Sequence, residues 1–251
     1  MSQYFISLLN VSKVYPKELG AESHLALDNL SFSIEKGTTL GLVGANGAGK
    51  STCIHLLMNF IRPDIGEIMI AGQSVRCPTL RRSIGYLPEV ASFPPNLTVM
   101  DMLHFVGSVC GLSRKTILVR GEILLQELGL WSVRKRPLRS YSKGMQQRAS
   151  FAMALINDPS LLILDEPMSG LDPVGREKII ALIQRLKKQE KTILFCSHIL
   201  EDVDRLADQL LVLHRGTKIY EGTVQHLCEE QQATELNRAF LSLIQGVTHE
   251  Q

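Results

Sequence analysis

Apolar residues in this sequence come first in short strand-like runs, then at helical spacing, and finally in strand runs that alternate with helical stripes. "YFISLLNV" and "LDNLSFSI" are bounded by polar and glycine-containing stretches and read as β-strands. "TTLGLVG" is an apolar strand that runs into the glycine-rich "GANGAGK", and "STCIHLLMNFI" after it reads as a helix. Another strand, "GEIMIAG", follows the turn-like "RPDIG". From about Thr98 to Leu155 the spacing is helical. Thr98 and Asp101 are placed to form a capping box, and Ser113 to cap a second helix with Ile117, Leu124, Leu125 and Leu128 on one face. Then βα alternation resumes. "SLLILDEP" reads as a buried strand, Asp172-Pro173 as a cap with proline at the first helical position, and Ile179, Leu182, Ile183 and Leu186 stripe the next helix. "KTILFCS" and "QLLVLHRG" are further strands, and Thr223 to Gln251 predicts one or two short helices with Leu236, Phe240 and Ile244 on one side. The pattern is an α/β core interrupted by an all-helical insertion.

Length and composition leave this picture standing and remove several alternatives. The 251 residues suffice for one large domain or two modest ones, and 45% hydrophobic with 21% charged residues describes an ordinary globular protein. A net charge of +2 is too near balance for a dedicated nucleic-acid binder. The five cysteines (Cys53, Cys77, Cys110, Cys196, Cys228) are scattered and form no CxxC pair, so free thiols in a reducing compartment are expected, without structural zinc. Cys53 has two opposed readings. The dipole of the helix after the glycine-rich loop favours a thiolate, whereas packing against the sheet would leave a buried, inert thiol. "MSQYFISLLN" lacks a basic n-region, so no signal peptide is expected. No apolar run approaches the ~20 residues of a membrane helix, and a cytoplasmic protein is expected.

Gly44 to Ser51 spells G-x-x-x-x-G-K-S between an apolar strand and a helix, the context of a phosphate-binding P-loop. Glycine lets successive backbone N–H groups converge on phosphate oxygens, and the helix N-terminus adds partial positive charge. Lys50 has the reach for β- and γ-phosphates, and the Ser51 hydroxyl suits Mg²⁺. Asp165 and Glu166 end the aliphatic "LLILDEP", where ligands of an open α/β sheet collect. Adjacent carboxylates on an extended chain point to opposite sides, so Asp165 is expected at the Mg²⁺ and Glu166 as the base that polarises a water. His198, just past another strand end, is the histidine expected near the γ-phosphate.

Together these residues resemble the ATP-binding subunit of an ABC transporter, over essentially Val11 to Gly222. The resemblance implies a P-loop NTPase fold: a RecA-like core, an antiparallel β subdomain and an inserted α-helical subdomain at about 98–155. The ATP-binding domain would occupy 1–222, with a short helical tail at 223–251. It also implies roles. Tyr15 would stack on adenine. The P-loop, Gly44 to Thr52, brings Asn46, Gly47, Ala48, Gly49 and Thr52 to the nucleotide beside Gly44, Lys50 and Ser51. "GYLPE" places Glu89 at the Q-loop as a metal-site residue, Asp172 closes the "SGLD" D-loop, and His198 is the switch histidine. "YSKGMQQR", Tyr141 to Arg148, stands at the signature position, from which Ser142 and Gly144 would cap the γ-phosphate of a second subunit.

Lys143 and Met145 replace a glycine and the glutamine of the usual LSGGQ signature, and Glu89 replaces a glutamine. With Ser142 as N-cap, Met145 is N3 and cannot close a capping box, while Lys143 brings a charge that can approach phosphate. These departures resemble the branch serving ABC-2-type exporters. The expected protein is an ATPase using ATP and Mg²⁺, a homodimer lying peripherally on the inner face of the cell membrane. It would drive export through a separate transmembrane permease, touched by the helical insertion with the Glu89 loop as hinge, and no nucleic acid is expected. Two alternatives are an ABC-type ATPase acting on nucleic acid or ribosomes and a regulatory module that binds ATP without turnover. The first draws on Gly129 to Arg148, which holds Arg134, Lys135, Arg136, Arg139, Lys143 and Arg148 with no acid; the presence of Glu166 disfavours the second.

Overall fold

The computed structural model describes residues 4–16 and 23–249. The ends of the expected 1–222 and 223–251 segments, residues 1–3 and 250–251, lie outside the described residues, as do 17–22. The elements begin with β1 (Tyr4–Tyr15), β2 (His24–Glu35), β3 (Thr39–Val43), α1 (Lys50–Leu57), β4 (Ile65–Ile70) and β5 (Gln73–Ser74). Next come β6 (Ile84–Leu87), α2 (Val99–Val109), α3 (Arg114–Glu127), α4 (Lys143–Leu155), β7 (Leu161–Asp165) and α5 (Pro173–Lys188). The chain continues with β8 (Thr192–Cys196), α6 (Leu200–Leu206), β9 (Gln209–His214), β10 (Thr217–Gly222), α7 (Val224–Glu230) and α8 (Leu236–His249). They divide into two units, Met1–Leu80 with Thr192–Gln251, and Arg81–Lys191.

In the first unit β2, β1, β4 and β5 form an antiparallel sheet in that order. The β1–β2 pairing shifts register where Asn10 of β1 and Asn29 of β2 take φ of 50° and 48°. Their N–H groups donate to Ser31 Oγ (2.8 Å) and Ser12 Oγ (2.9 Å), so each bulge is satisfied by a serine of the facing strand. The other sheet segment of this unit has β3 parallel to both β8 and β9, with β10 antiparallel at β9. Every residue of β3 and β8 is buried, which is why they read as continuous apolar runs rather than alternating ones. Leu42 and Cys196 pair in register, so the carboxyl ends of β3 and β8 lie at one edge.

The second unit contains the expected helices together with β6, β7 and α5, because it starts at Arg81 and ends at Lys191. β6 and β7 run parallel, and all of β7 is buried. The caps fall where the sequence puts them. Thr98 and Asp101 form the reciprocal box on α2, and Ser113 Oγ accepts from Thr116 N–H on α3. Asp172 Oδ1 accepts from Gly175 N–H at 2.6 Å, with Pro173 opening α5. Gly85 lets α4 lie directly on β6, since a Cβ there would come within 2.2 Å of the Ala154 carbonyl oxygen. Three strands have no counterpart in the apolar runs read above. β5 is two residues long, β6 is the short "IGYL", and β10 is the polar "TKIYEG". Among the described residues no helix is long and apolar enough to cross a membrane.

Ile163 lies at the middle of β7 with no exposed surface. Ile163→Ala should cost about 2–5 kcal/mol, the lost side chain plus the cavity it leaves. Urea unfolding should show the midpoint falling with the slope unchanged; a shift worth less than about 1 kcal/mol would mean the strand is not packed as described.

Candidate functional site

The residues singled out by sequence fall in both units, and each set is braced within its own unit. In the first, β3 leads into the loop at Gly44 and α1 begins at Lys50. Gly49 is the N-cap with φ of 106°, and no side chain caps the helix. Nor is there an acid in the first turn of α1. An uncapped, acid-free helix start presents backbone N–H donors and the positive end of the dipole to an anion. Gly49 cannot carry a side chain, because a Cβ would stand 2.7 Å from the Ala26 carbonyl oxygen and from Leu27 Cδ2. Lys50 Nζ donates to the carbonyls of Gly44 (2.7 Å) and Ala45 (3.1 Å), which holds the ammonium over the loop. Asn46, Gly47 and Ser51 are exposed, and space beside Gly47 is open. Ala48 differs: it is buried, and its N–H donates to Ala45 O at 3.1 Å, so it builds the turn.

Tyr15 ends β1 with its Oη 3.5 Å from Thr52 Oγ1, so its 36%-exposed ring stands beside the first turn of α1. His198 is exposed just past β8, at the same carboxyl edge as the loop after β3. Buried Ser197 shapes this turn, its Oγ accepting from Ile199 N–H at 3.0 Å. The structure therefore brings Tyr15, Gly44 to Thr52 and His198 to one unit.

Glu89, Ser142, Gly144, Asp165, Glu166 and Asp172 lie in the other. Asp165 ends β7 and is only 6% exposed. Glu166 corrects the premise of an extended pair. Its φ is 48°, in the left-handed region, because the strand stops at Asp165 and the chain turns at once. The two carboxylates do differ in setting, but through this turn rather than through strand alternation. Glu89 is exposed two residues beyond β6. Ser142 caps α4, its Oγ accepting from Met145 N–H at 3.3 Å, and with methionine at N3 the reciprocal bond is missing.

The stretches expected as signature and D-loop line one cavity of about 280 Å³, with Ser142, Lys143, Gly144, Arg148, Gly170 and Asp172 among its walls. The methylene stem of Lys143 crosses Gly170, whose φ is 73°; a Cβ there would lie 2.7 Å from Lys143 Cδ and Cε. The basic stretch is not uniform. Arg134 stacks on Trp131 at 3.8 Å from the ring centroid, and Arg148 donates to Leu128 O at 2.6 Å. Lys135, Arg136 and Arg139 are exposed. One polar residue was not singled out by sequence at all. Gln147, on α4 and 3% exposed, donates from Nε2 to the carbonyls of Glu166 (3.3 Å) and Pro167 (3.2 Å). Its signal is a glutamine one helical turn after Lys143 on the face that α4 buries. Among the described residues no cluster of three or more His, Cys, Asp or Glu is arranged to hold a metal.

Residues 27–169 match the family described as ABC transporter. The chain is 36% identical over 228 residues to the ABC transporter ATP-binding protein NatA of Bacillus subtilis, covering 89% of this chain and 92% of that protein. It is 40% identical over 232 residues to the Nod factor export ATP-binding protein I of Sinorhizobium fredii, covering 92% of this chain and 66% of that one. An uncharacterized ABC transporter ATP-binding protein of Synechocystis is 38% identical over 229 residues, 90% of this chain and 65% of that one. The chain thus spans about two thirds of the length of some of these relatives. Among solved structures, an ATP binding subunit of an ABC transporter superimposes with a TM-score of 0.87 at 28% identity, covering 96% of this chain and 99% of that one. A dimeric, post-hydrolysis ATP-binding cassette bound to ADP and Pi does so with 0.81 at 25% identity, covering 87% and 98%.

All five cysteines are free. The thiolate reading of Cys53 is overturned: the side chain has no exposed surface, and burial pushes its pKa up to about 12 against any pull of the helix dipole. Cys77 moves the other way, lowered first by its bond to the Thr79 hydroxyl, 3.1 Å away. Maleimide labelling of the folded protein near neutral pH should therefore modify Cys77 first and leave Cys53 intact until denaturant is added. Peptide mass spectrometry reads the order, and early labelling of Cys53 would contradict the burial assigned to α1.

Proposed function

This chain belongs to the ABC transporter family, in its ATP-binding ATPase class, and we propose that it hydrolyses ATP as a dimer to drive export through a separate membrane permease. The uncapped start of α1 with Lys50 folded over its loop supports this reading best, since it is a cradle ready for phosphate. Lys50 would exchange two carbonyl partners for β- and γ-phosphate oxygens, and Tyr15 would stack on the base. Mg²⁺, when bound, neutralises charge on the phosphates; the hard oxygen donors Ser51, Asp165 and Glu89 suit it.

Glu166 is the proposed general base for the attacking water, and His198 the group beside the γ-phosphate. Ser142 and Gly144 would cap the γ-phosphate held by the partner subunit, as the dimeric form of a related cassette suggests. Export is favoured by the name of the Nod factor export relative, and a permease partner by the transporter family that the chain matches. The protein would then work at the inner face of the membrane. Action on nucleic acid fits less well, because Arg134 and Arg148 are engaged in holding Trp131 and Leu128.

Lys50→Ala should abolish tight ATP binding; near-normal affinity in a direct titration would sink the cradle. Glu166→Gln should keep ATP binding, lower turnover by about 10²–10⁴-fold and accumulate an ATP-loaded dimer. Turnover within a few-fold of the parent would remove Glu166 as the base.

The trans role of the signature loop has its own test. Ser142→Arg should leave ATP binding by the lone subunit nearly intact while abolishing the dimer, because a bulky cation fills the anion position. Mixed with Lys50→Ala, both in a Glu166→Gln background, it should regain some dimer in MgATP, since one composite site then carries neither lesion. No dimer in the mixture beside a clear one in the Glu166→Gln control would return Ser142 to its own subunit.

A further inference from the structure

We propose that Gln147 is the positioning residue for Glu166, tying the peptide that carries the base to the helix that bears the signature loop. This rests on Glu166 being the general base proposed above. Glu166 lies in the left-handed region at φ 48°, a conformation that a residue with a side chain keeps only where its surroundings hold it. Pro167 follows and disfavours helical geometry at Glu166 further. Something must therefore fix this peptide.

The Gln147 carboxamide does so. Both of its partners, the carbonyls of Glu166 and Pro167, are acceptors, so only the NH₂ end can face them and the orientation of the amide is dictated chemically. The side chain is 3% exposed, so water does not replace it, and its loss would take a donor from the buried Pro167 carbonyl and leave the Glu166 carbonyl with one bond fewer. From the other side Ser169 N–H donates to the Glu166 carbonyl at 3.0 Å. The peptide is clamped between the two.

The same face of α4 reaches the far end of this connection. Gly144 packs against it, a Cβ there falling 3.4 Å from Gly170 O and 3.5 Å from Leu171 Cδ2, and the stem of Lys143 crosses Gly170. One helix thus brackets the whole turn from Glu166 to Leu171. Ser142 and Gly144 at its start are the groups proposed to cap the partner's phosphate, and Gln147 lies one turn further on. A helix moves as a rigid element, so displacement of the cap would be felt at the peptide of the base. Gln147 would make the base of one site responsive to the engagement of the cap with the other.

The test compares Gln147→Met, similar in volume but without a donor, with Gln147→Asn, which keeps the amide and shortens its reach. Gln147→Met should lower kcat by about 20-fold or more while KM for ATP stays within about two-fold, the pattern of an interaction that matters in the transition state. In MgATP it should accumulate dimer as Glu166→Gln does. Gln147→Asn should show a smaller fall in kcat with the same unchanged KM, and it serves where loss of both bonds unfolds the chain. Leu125→Ala, a buried α3 change, controls for stability and should retain kcat. Unchanged kcat in either folded Gln147 variant overturns the proposal, as does loss of the ATP dimer together with turnover. If Glu166→Gln is inactive while Gln147→Met turns over normally, this inference alone fails. If Glu166→Gln itself turns over normally, the assignment of the base has failed first.

Discussion

An uncapped helix start is the constraint on which the phosphate cradle depends. Four N–H groups at the start of α1 must stay available for an anion, so no side chain of the helix itself can stabilise them. The loop is held from behind instead. Gly216 N–H donates to the Ala48 carbonyl, and Asp28 N–H donates to Gly216 O, both through segments distant in sequence. Gly44 lies so close to the Leu213 carbonyl that a Cβ would reach 2.4 Å. β2, the β9–β10 turn and the end of β9 are thus needed at the loop. The parallel pairing of β3 with β9 and β8 delivers the loop and His198 to one edge. The glycines are required here as much for contact with this backbone as for turning the chain.

The second helix start, at α4, is built the opposite way. Ser142 occupies the position that α1 leaves open, and its Oγ accepts one of the N–H groups. Met145 gives up the reciprocal bond that glutamine or glutamate would supply. Compensation comes from elsewhere on the helix. Arg148 reaches back to the Gly144 carbonyl at 3.3 Å and across to Leu128 O, and Lys143 lays its stem on Gly170. Both departures from the usual signature then belong to one arrangement. The methionine loosens the cap, and the lysine fastens the same turn to the D-loop by apolar contact while its charged end can remain in water.

The sequence was most legible where a feature depends on neighbours along the chain. The caps at Thr98, Ser113, Ser142 and Asp172 involve residues three apart, and all four form. The buried runs of β3, β7 and β8 were equally plain, since strands covered on both faces are apolar except at their ends, here Thr39, Asp165 and Thr192. Legibility failed where a distant partner decides. β6 and β10 are too short or too polar to read alone and exist through pairing with β7 and β9. At Cys53 the sequence allowed both a thiolate and a buried, inert thiol, and complete burial, a tertiary fact, decides for the second.

Glu166 shows why the local rule failed where the proposed chemistry is concentrated. Strand alternation predicts opposed carboxylates, yet the chain leaves β geometry between Asp165 and Glu166. A left-handed residue before proline is locally unfavourable, and nothing in "LDEP" announces it. It persists because Gln147 and Ser169 hold its carbonyl, and Gln147 is near only because α4 packs against the turn. Strain of this kind persists only where the surroundings restrain it, and a buried amide bonded to two carbonyls supplies such a restraint. The conformation of the proposed base is then a property of α4 as much as of β7. A carboxylate that looks like the end of a strand in sequence is, in structure, the end of a connection reaching the signature loop.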